Sequence, residues 1–273
     1  MTPSGPITLE RTTPEIATIT YSNPPANLVD PPTVTALHAA VTELETDPDV
    51  KVAILASSEP GFFVNHFNLG IAEDFPVLPA DPITPMWTDL VLRLAKAPFI
   101  SIAAIRGRTR GGGNELALAC DLRYASREHA LFGQPEVGAG IVPGGGGTER
   151  LPRLIGRDRA LEAVLTSYDY DADTAERYGW VTRTMPDADL DAFVDRIAAR
   201  LASFDRRALS TAKTQINRAS LPPDSDIRAA YGEYWTALTW PDYLSRKPVL
   251  ARAAAEVGIA GIERQLDATN RQP

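Results

Sequence analysis

The stretch GRTRGGGNELALACDLRYAS, residues 107–126, decides the fold of this 273-residue chain. Its three consecutive glycines follow the apolar run APFISIAAI and precede a segment of helical composition. The first N–H groups of a helix have no partner inside the helix and carry partial positive charge. Since glycine has no Cβ, a ligand oxygen can come close to these groups. The stretch therefore predicts a site for a phosphate, or for a carbonyl oxygen that becomes negative during a reaction.

The spacing of the glycines argues against a phosphate. A P-loop requires Lys followed by Ser or Thr after its second glycine, and a dinucleotide fingerprint requires a glycine where Leu116 stands. Glu115 follows the glycines directly after Asn114, although a glutamate in the first turn also suits an ordinary helix. A second acid, Glu136, precedes another glycine run in GQPEVGAGIVPGGGG. Two glutamates beside two glycine-rich loops suit acid–base chemistry next to an oxyanion site.

Composition narrows the class of protein. The net charge of −8 lacks the basic character that nucleic-acid binding needs. The sequence has no apolar run long enough to cross a bilayer, and its first residues do not resemble a signal peptide. The single cysteine, Cys120, excludes a disulfide within the chain and argues against a cysteine-based metal site. We therefore expect a cytoplasmic protein with neither a nucleic-acid nor a membrane partner.

Hydrophobic periodicity predicts alternating strands and helices up to about residue 201 and only helices after Phe204. This order predicts an α/β core followed by a helical C-terminal region. The aromatic residues Tyr231, Tyr234 and Trp235 predict that this region packs on its own core or on a second subunit. The predicted strands lie at about 15–21, 51–57, 97–105, 121–127 and 180–184. The predicted helices lie at about 33–46, 84–96, from the glycines to Cys120, and at 145–154, 157–166, 171–178, 190–201, 206–219, 224–239 and after Pro248.

The two glycine-rich segments, GRTRGGGNELALACDLRYAS and FGQPEVGAGIVPGGGGTERLPRLIG, resemble the enoyl-CoA hydratase/isomerase (crotonase) superfamily. The segments NPPAN, VAILAS and DADTAERYGWVTRTMP agree with the same family. The resemblance extends from about residue 15 to 203 and is most specific over 107–151. It implies an α/β fold with a crotonase-like spiral of ββα units over residues 1–203. It also implies a helical C-terminal oligomerisation region over residues 204–273, which forms a homotrimer or a dimer of trimers.

The resemblance also implies a chemistry. Members bind acyl-CoA thioesters, and two main-chain N–H groups hold the thioester carbonyl; the matching positions here are Phe67 and Gly112. The two glutamates that hold a water in the hydratases match Glu115 and Glu136. The presence of both acids favours a lyase that hydrates or dehydrates an enoyl-CoA. Coenzyme A enters as part of the substrate, and neither another cofactor nor a metal is expected.

The resemblance further implies substrate contacts, although one loop departs from the family. Where the family usually reads Phe-x-Ala-Gly-x-Asp-Leu, this chain reads FVNHFNL at 63–69. His66 thus replaces a glycine and either reacts or fills space. Arg110 either pairs with an acid such as Glu115, contacts a charged acyl group, or forms a structural ion pair. The candidate substrate-binding residues are Ala26, Asn27, Leu28, Asn65, His66, Asn68, Arg110, Gly111, Pro135 and Gly144.

The altered loop leaves other functions open. A crotonase-fold isomerase, or a hydrolase or C–C bond-cleaving enzyme acting on another carbonyl substrate, would use the same oxyanion site. A non-catalytic assembly protein is a third alternative, against which Glu115, Glu136 and Gly112 all argue.

Overall fold

The computed structural model describes residues 5–79 and 84–269. Its strands are β1 Ile7–Thr13, β2 Ile16–Tyr21, β3 Val52–Ser57, β4 Phe62–Val64, β5 Val77–Leu78, β6 Thr84–Pro85, β7 Ile100–Ile105, β8 Arg108–Arg110, β9 Leu122–Ser126, β10 Leu131–Gly133, β11 Asp169–Asp171 and β12 Arg183–Met185. Its α-helices are α1 Pro31–Thr46, α2 Met86–Lys96, α3 Gly112–Ala119, α4 Gly147–Ile155, α5 Arg157–Thr166, α6 Ala172–Tyr178, α7 Asp187–Ala202, α8 Arg206–Ser220, α9 Asp224–Ala237, α10 Pro241–Val257 and α11 Ile259–Thr269.

The strands form two principal sheets. The larger sheet has the order β1-β2-β3-β7-β9-β12, antiparallel between β1 and β2 and parallel elsewhere. The smaller sheet has the order β11-β10-β8-β4, with β10, β8 and β4 parallel. The continuous apolar runs of β3 and β7 are typical of parallel strands covered on both faces.

The chain winds between the sheets in repeated turns. A strand of the larger sheet, a strand of the smaller sheet and a helix follow one another in β3–β4–α2, β7–β8–α3 and β9–β10–α4. This confirms the predicted α/β spiral of ββα units. The carboxyl ends of β4, β8 and β10 lead into the loop at 65–68, the glycine triplet and the Glu136 loop, respectively. The smaller sheet therefore places the three candidate segments side by side.

The helices after residue 205 lie partly on the core. Tyr231 of α9 belongs to the main hydrophobic core, and Tyr234 packs with Ile141 and Tyr243 in a smaller cluster. Of the two predicted surfaces, α9 thus uses the chain's own core. The last helix, α11, lies after Pro248 as predicted, but α10 begins already at Pro241 and contains Pro248, which the sequence reading did not expect. Proline suits the first turn of a helix, and Gly258, with φ +73°, separates α10 from α11.

The division into units at residues 1–203 and 204–273 stays a prediction. Within residues 5–79 and 84–269, no helix combines the length and the apolar character that crossing a bilayer would require.

Candidate active site

The loop at 65–68 is held by the backbone of residues 27–29. The N–H of Asn65 donates to the Asn27 carbonyl at 2.9 Å, and the N–H of Asn68 donates to the Val29 carbonyl at 2.8 Å. The N–H of Val29 donates back to the carbonyl of His66 at 3.0 Å. These bonds use the N–H groups of Asn65 and Asn68 and the carbonyl of His66. The N–H of Phe67, between them, donates to no acceptor in the part of the chain that the structure describes.

The glycine triplet contains a second main-chain N–H without an acceptor in the described part of the chain, that of Gly112. Gly111, with φ +52°, donates to the Gly133 carbonyl at 3.0 Å, and Gly113 donates to the Asn65 carbonyl at 3.0 Å. The N–H of Gly112, at the start of α3, has no acceptor among the described residues. Free N–H groups at a helix start can bind an oxyanion.

The two candidate N–H groups belong to residues in direct contact. A Cβ on Gly112 would lie 2.9 Å from Cε2 of the Phe67 ring, so only glycine fits against it. The Phe67 ring also packs edge-on against Trp87, with centroids 5.0 Å apart, and against Phe75 at 4.8 Å. Aromatic packing thus fixes the Phe67 side chain beside the start of α3.

Glu115 projects from the first turn of α3 into the glycine run before α4. Its Oε1 accepts hydrogen bonds from the N–H groups of Gly145 at 2.7 Å and Gly147 at 3.0 Å. Burial is the largest influence on its pKa and raises it, and the nearby Glu136 raises it further. The two N–H donors favour the ionised carboxylate and offset part of this effect.

Glu136 is the less restrained acid. Its Oε1 accepts from Nε2 of Gln134 at 3.0 Å, while its Oε2 is buried without a hydrogen-bond partner. Burial raises its pKa, and the positive charge of His66 opposes the shift. The negative charge of one buried carboxylate opposes ionisation of the other, so the two glutamates resist ionising together.

Both acids open into one cavity. It is lined by Phe67, Glu115, Glu136, Gly144, Gly145, Tyr231 and Tyr234. Among the described residues, neither glutamate forms an ion pair. The cavity therefore combines two carboxyl groups with a mainly aromatic wall, to which α9 contributes the tyrosines.

The loop at 26–28 lies beside this region and is tightly held. Ala26 and Asn27 are fully buried, and Asn27 adopts a positive φ of 48°. The Asn27 side chain donates to the Phe63 carbonyl at 2.9 Å, and the carbonyl of Leu28 accepts from the hydroxyl of Tyr21 at 2.8 Å. A contact between this loop and the pantetheine of CoA stays a prediction.

Other candidates have different surroundings. Oδ1 of Asn68 accepts from the N–H of Gly70 at 3.2 Å and caps the 3₁₀ helix Leu69–Asp74. Pro135 is half-buried next to Glu136, and Gly144 lines the cavity. The side-chain nitrogen and oxygen of Asn65 are buried without hydrogen-bond partners. The Asn65 amide nevertheless lies close enough to an acid of α11, Glu263, to lower the pKa of that acid.

A cluster of four charged residues, the Glu263 cluster, lies next to the loop at 65–68 and the glycine triplet. It comprises His66, Arg110, Asp169 and Glu263. Nε of Arg110 donates to Oδ1 of Asp169 at 2.9 Å, and its Nη2 pairs with the other oxygen of Asp169. Nη1 of Arg110 donates to Oε2 of Glu263 at 3.0 Å. Nε2 of His66 lies 2.8 Å from Oε1 of Glu263, and its Nδ1 lies 2.9 Å from the carbonyl oxygen of Phe67.

These contacts decide the charge of His66. A carboxylate and a carbonyl both accept, so both ring nitrogens must carry hydrogen, as only the imidazolium does. Burial, the largest single influence, lowers the pKa of His66, but the charge of Glu263 and the hydrogen bonds to Glu263 and to the Phe67 carbonyl together outweigh it, and the net shift is upward. Burial likewise opposes ionisation of Glu263, yet His66 and Arg110 hold its pKa well below the usual range.

The Arg110 side chain is 0% exposed and forms ion pairs with Asp169 and Glu263 rather than with the suggested Glu115. A contact between Arg110 and a charged acyl group stays a prediction. Sequence reasoning missed both Asp169 and Glu263. Glu263 lies 197 residues from His66, so no local pattern could connect them. Gln134 was also missed, although its position two residues before Glu136 was visible.

Comparison with known proteins agrees with this architecture. A family model described as enoyl-CoA hydratase/isomerase matches residues 11–236. The short-chain-enoyl-CoA hydratase of Clostridium acetobutylicum is 33% identical over 80% of this chain and 83% of its own. The crotonyl-CoA hydratase of Syntrophomonas wolfei is 33% identical over 74% of this chain and 78% of its own.

Solved structures give the same result. The crystal structure of a Streptomyces avermitilis protein assigned as an enoyl-CoA hydratase is 41% identical, with a TM-score of 0.84 over 94% of this chain and 93% of its own. An enoyl-CoA hydratase from Mycobacterium avium subsp. paratuberculosis is 26% identical, with a TM-score of 0.80 over 90% of this chain and 98% of its own. The spiral of ββα units, the family match and these relatives agree, and the chain belongs to the enoyl-CoA hydratase/isomerase family of enzymes.

Proposed function

We propose that the protein adds water across the double bond of an α,β-unsaturated acyl-CoA thioester, and removes it in the reverse direction. The observation that carries this proposal is the presence of Glu115 and Glu136 in one buried cavity with Phe67, with neither acid consumed in an ion pair. The hydratases among the relatives support the same reaction class.

In this proposal the thioester oxygen accepts the N–H groups of Phe67 and Gly112. Negative charge develops on that oxygen as the enolate forms, and preorganised donors stabilise it more than they stabilise the starting carbonyl. Removing one such donor typically costs about 10²–10³ in kcat. The main-chain bonds of the neighbouring residues 65, 68, 111 and 113 hold the two N–H groups in place.

The two glutamates share the proton transfers. One ionised carboxylate takes a proton from water as the water oxygen bonds to the β-carbon, and the other carboxyl gives a proton to the α-carbon. The pair ends with as many protons as it began with, since one acid gains what the other loses. The raised pKa of both Glu115 and Glu136 favours this singly protonated state near neutral pH.

Enoyl-CoA hydration can be followed by the loss of the conjugated thioester absorbance over a panel of acyl-chain lengths. We expect turnover by the wild-type protein, and a loss of about 10²–10⁴-fold in kcat for Glu115→Gln and for Glu136→Gln. Glu128→Gln, at an exposed position, is the matched control and should retain wild-type activity. The proposal fails if no enoyl-CoA is turned over and no CoA ester raises the melting temperature.

The altered loop favours a second candidate. His66 stands where the family usually has glycine, and its charged ring lies beside the proposed oxyanion donor at Phe67. A positive charge there would also suit an isomerase, or a hydrolase or C–C bond-cleaving enzyme, that passes through another enolate or oxyanion. A thiol reagent detects the free CoA that thioester hydrolysis releases, whereas hydration leaves the thioester intact.

The remaining expectations belong to the same proposal. Coenzyme A would enter only as part of the substrate, with no further cofactor and no metal. The active form would be a homotrimer or a dimer of trimers in the cytoplasm, and sedimentation of the purified protein measures its mass.

A further inference from the structure

We propose that Glu263 is a positioning residue that holds the two oxyanion segments of the site in their mutual arrangement. The inference rests on the proposed function, because it concerns the N–H groups that would hold the thioester oxygen. Glu263 itself does not line the cavity; it acts through its neighbours.

One carboxylate joins the two segments. Oε1 of Glu263 contacts Nε2 of His66 at 2.8 Å, and Oε2 accepts from Nη1 of Arg110 at 3.0 Å. The main-chain carbonyl of Glu263 accepts from the same Nη1 at 3.1 Å. His66 directly precedes Phe67, and Arg110 stands two residues before Gly112. Glu263 therefore ties together the side chains next to both proposed donors.

On the first segment, the His66 ring transmits the restraint to the backbone. Its Nδ1 donates to the Phe67 carbonyl at 2.9 Å, so the ring bridges that peptide to Glu263. Its Cβ would lie 2.8 Å from a Cβ on Gly111, which places the histidine directly against the glycine triplet. The His66 side chain thus anchors the loop at the position where the family resemblance predicts glycine.

On the second segment, Arg110 is fixed from two directions. Its guanidinium is 0% exposed and pairs with Asp169 as well as with Glu263. Removing one partner from such a buried group leaves charge uncompensated, which is strongly unfavourable. Since Arg110 is the last residue of β8, its position sets where the glycine triplet begins.

Hydrophobic packing alone does not explain how α11 contacts the rest of the protein. Among the described side chains of α11, which cover residues 259–266, Glu263 alone is buried. The apolar side chains Ile259, Ile262 and Leu266 are only half-buried, so the hydrophobic effect contributes less to this contact than it would for a buried apolar face. The docking of α11 is therefore coupled, through charge, to the geometry of the candidate site.

Hydrogen exchange of the full-length protein, with turnover as a second measurement, tests this inference. In Glu263→Gln we expect faster exchange in the peptides covering 62–70 and 108–114, with the strands β2 and β3 unchanged. We also expect kcat to fall by about 10²-fold, as small displacements of catalytic groups do, with KM nearly unchanged. Glu256→Gln, an exposed acid on α10, is the matched control and should behave as wild type in both measurements.

A second pair of variants separates positioning from general destabilisation. In His66→Gly the first segment no longer depends on Glu263, so adding Glu263→Gln should not further accelerate exchange over 62–70. The inference is overturned if Glu263→Gln leaves exchange and kcat unchanged, or if exchange rises uniformly over the whole protein. If the wild type turns over no enoyl-CoA, the hydratase proposal fails, and the exchange measurement still decides the role of Glu263.

Discussion

The carboxylate of Glu115 accepts a hydrogen bond from the main-chain N–H of Gly145 at 2.7 Å. The acid at the start of α3 is therefore held by the glycine run that follows the other acid, Glu136. The same glycine lies against Trp87: a Cβ on Gly145 would be 2.3 Å from Oε2 of Glu115 and 2.5 Å from Nε1 of Trp87. Neither neighbour leaves room for a methyl group.

This contact predicts that Gly145→Ala displaces Glu115. We expect a loss of about 10²-fold or more in kcat for enoyl-CoA hydration, because the carboxylate can no longer reach its working position. Gly232→Ala on α9 meets no atom within 4 Å and is the matched control. Steady-state kinetics and circular dichroism of both variants check the prediction, and equal losses in the two variants would contradict it.

The Glu115–Glu136 pair predicts that the acid limb of the pH–rate profile lies at a higher pH than for an ordinary glutamate. Burial raises the pKa of both acids, so the limb that reports ionisation of the base should lie well above the ordinary glutamate value of about 4.3. Activity should fall again at higher pH, when the second proton leaves the pair. Initial rates of hydration between pH 5 and 9 measure both limbs, and an acid limb near 4 would oppose the prediction.

The same shift predicts a pH-dependent effect of Glu136→Gln on stability. The folded pKa of Glu136 lies above its unfolded value, so the folded protein binds more protons, and its free energy of unfolding falls as pH rises through that interval. The amide does not titrate, so the variant should gain stability relative to wild type from pH 5 to pH 8, by on the order of 1–2 kcal/mol. Urea unfolding at the two pH values measures the difference, and a gain at the lower pH would reverse the sign.

The contacts of the Arg110 guanidinium with both Asp169 and Glu263 predict that Arg110→Lys destabilises the protein. A lysine ammonium cannot reproduce the paired bonds to Asp169 and also reach Glu263. We expect a loss of about 3 kcal/mol or more in the free energy of unfolding, as for other broken buried pairs. Arg108→Lys, at a less buried position on the same strand, is the comparison variant. Denaturant unfolding of both variants distinguishes the buried cluster from β8 in general.

The α/β core and most helices could be predicted from the sequence, because β3 and β7 are long apolar runs and the helices show clear periodicity. The spiral of ββα units was predicted only from the resemblance to the crotonase superfamily. The strands β1, β4, β5, β6, β8, β10 and β11 were missed. All except the seven-residue β1 have only two or three residues, too few for an alternating pattern, and β8 has two arginines. Sequence motifs were enough to predict Glu115 and Glu136 as site residues. The Glu263 cluster could not be predicted, because it depends on contacts between distant parts of the chain.

The smaller sheet has a consequence for how such proteins diversify. Since β4, β8 and β10 are neighbouring parallel strands, their spacing of about 4.8 Å is set by main-chain hydrogen bonds, whatever side chains they carry. Residues in the segments that follow these strands can therefore be substituted, as at His66, while the main-chain hydrogen bonds between the strands stay the same. A new reaction could arise on this scaffold through a few substitutions at three strand ends, without any rearrangement of the fold.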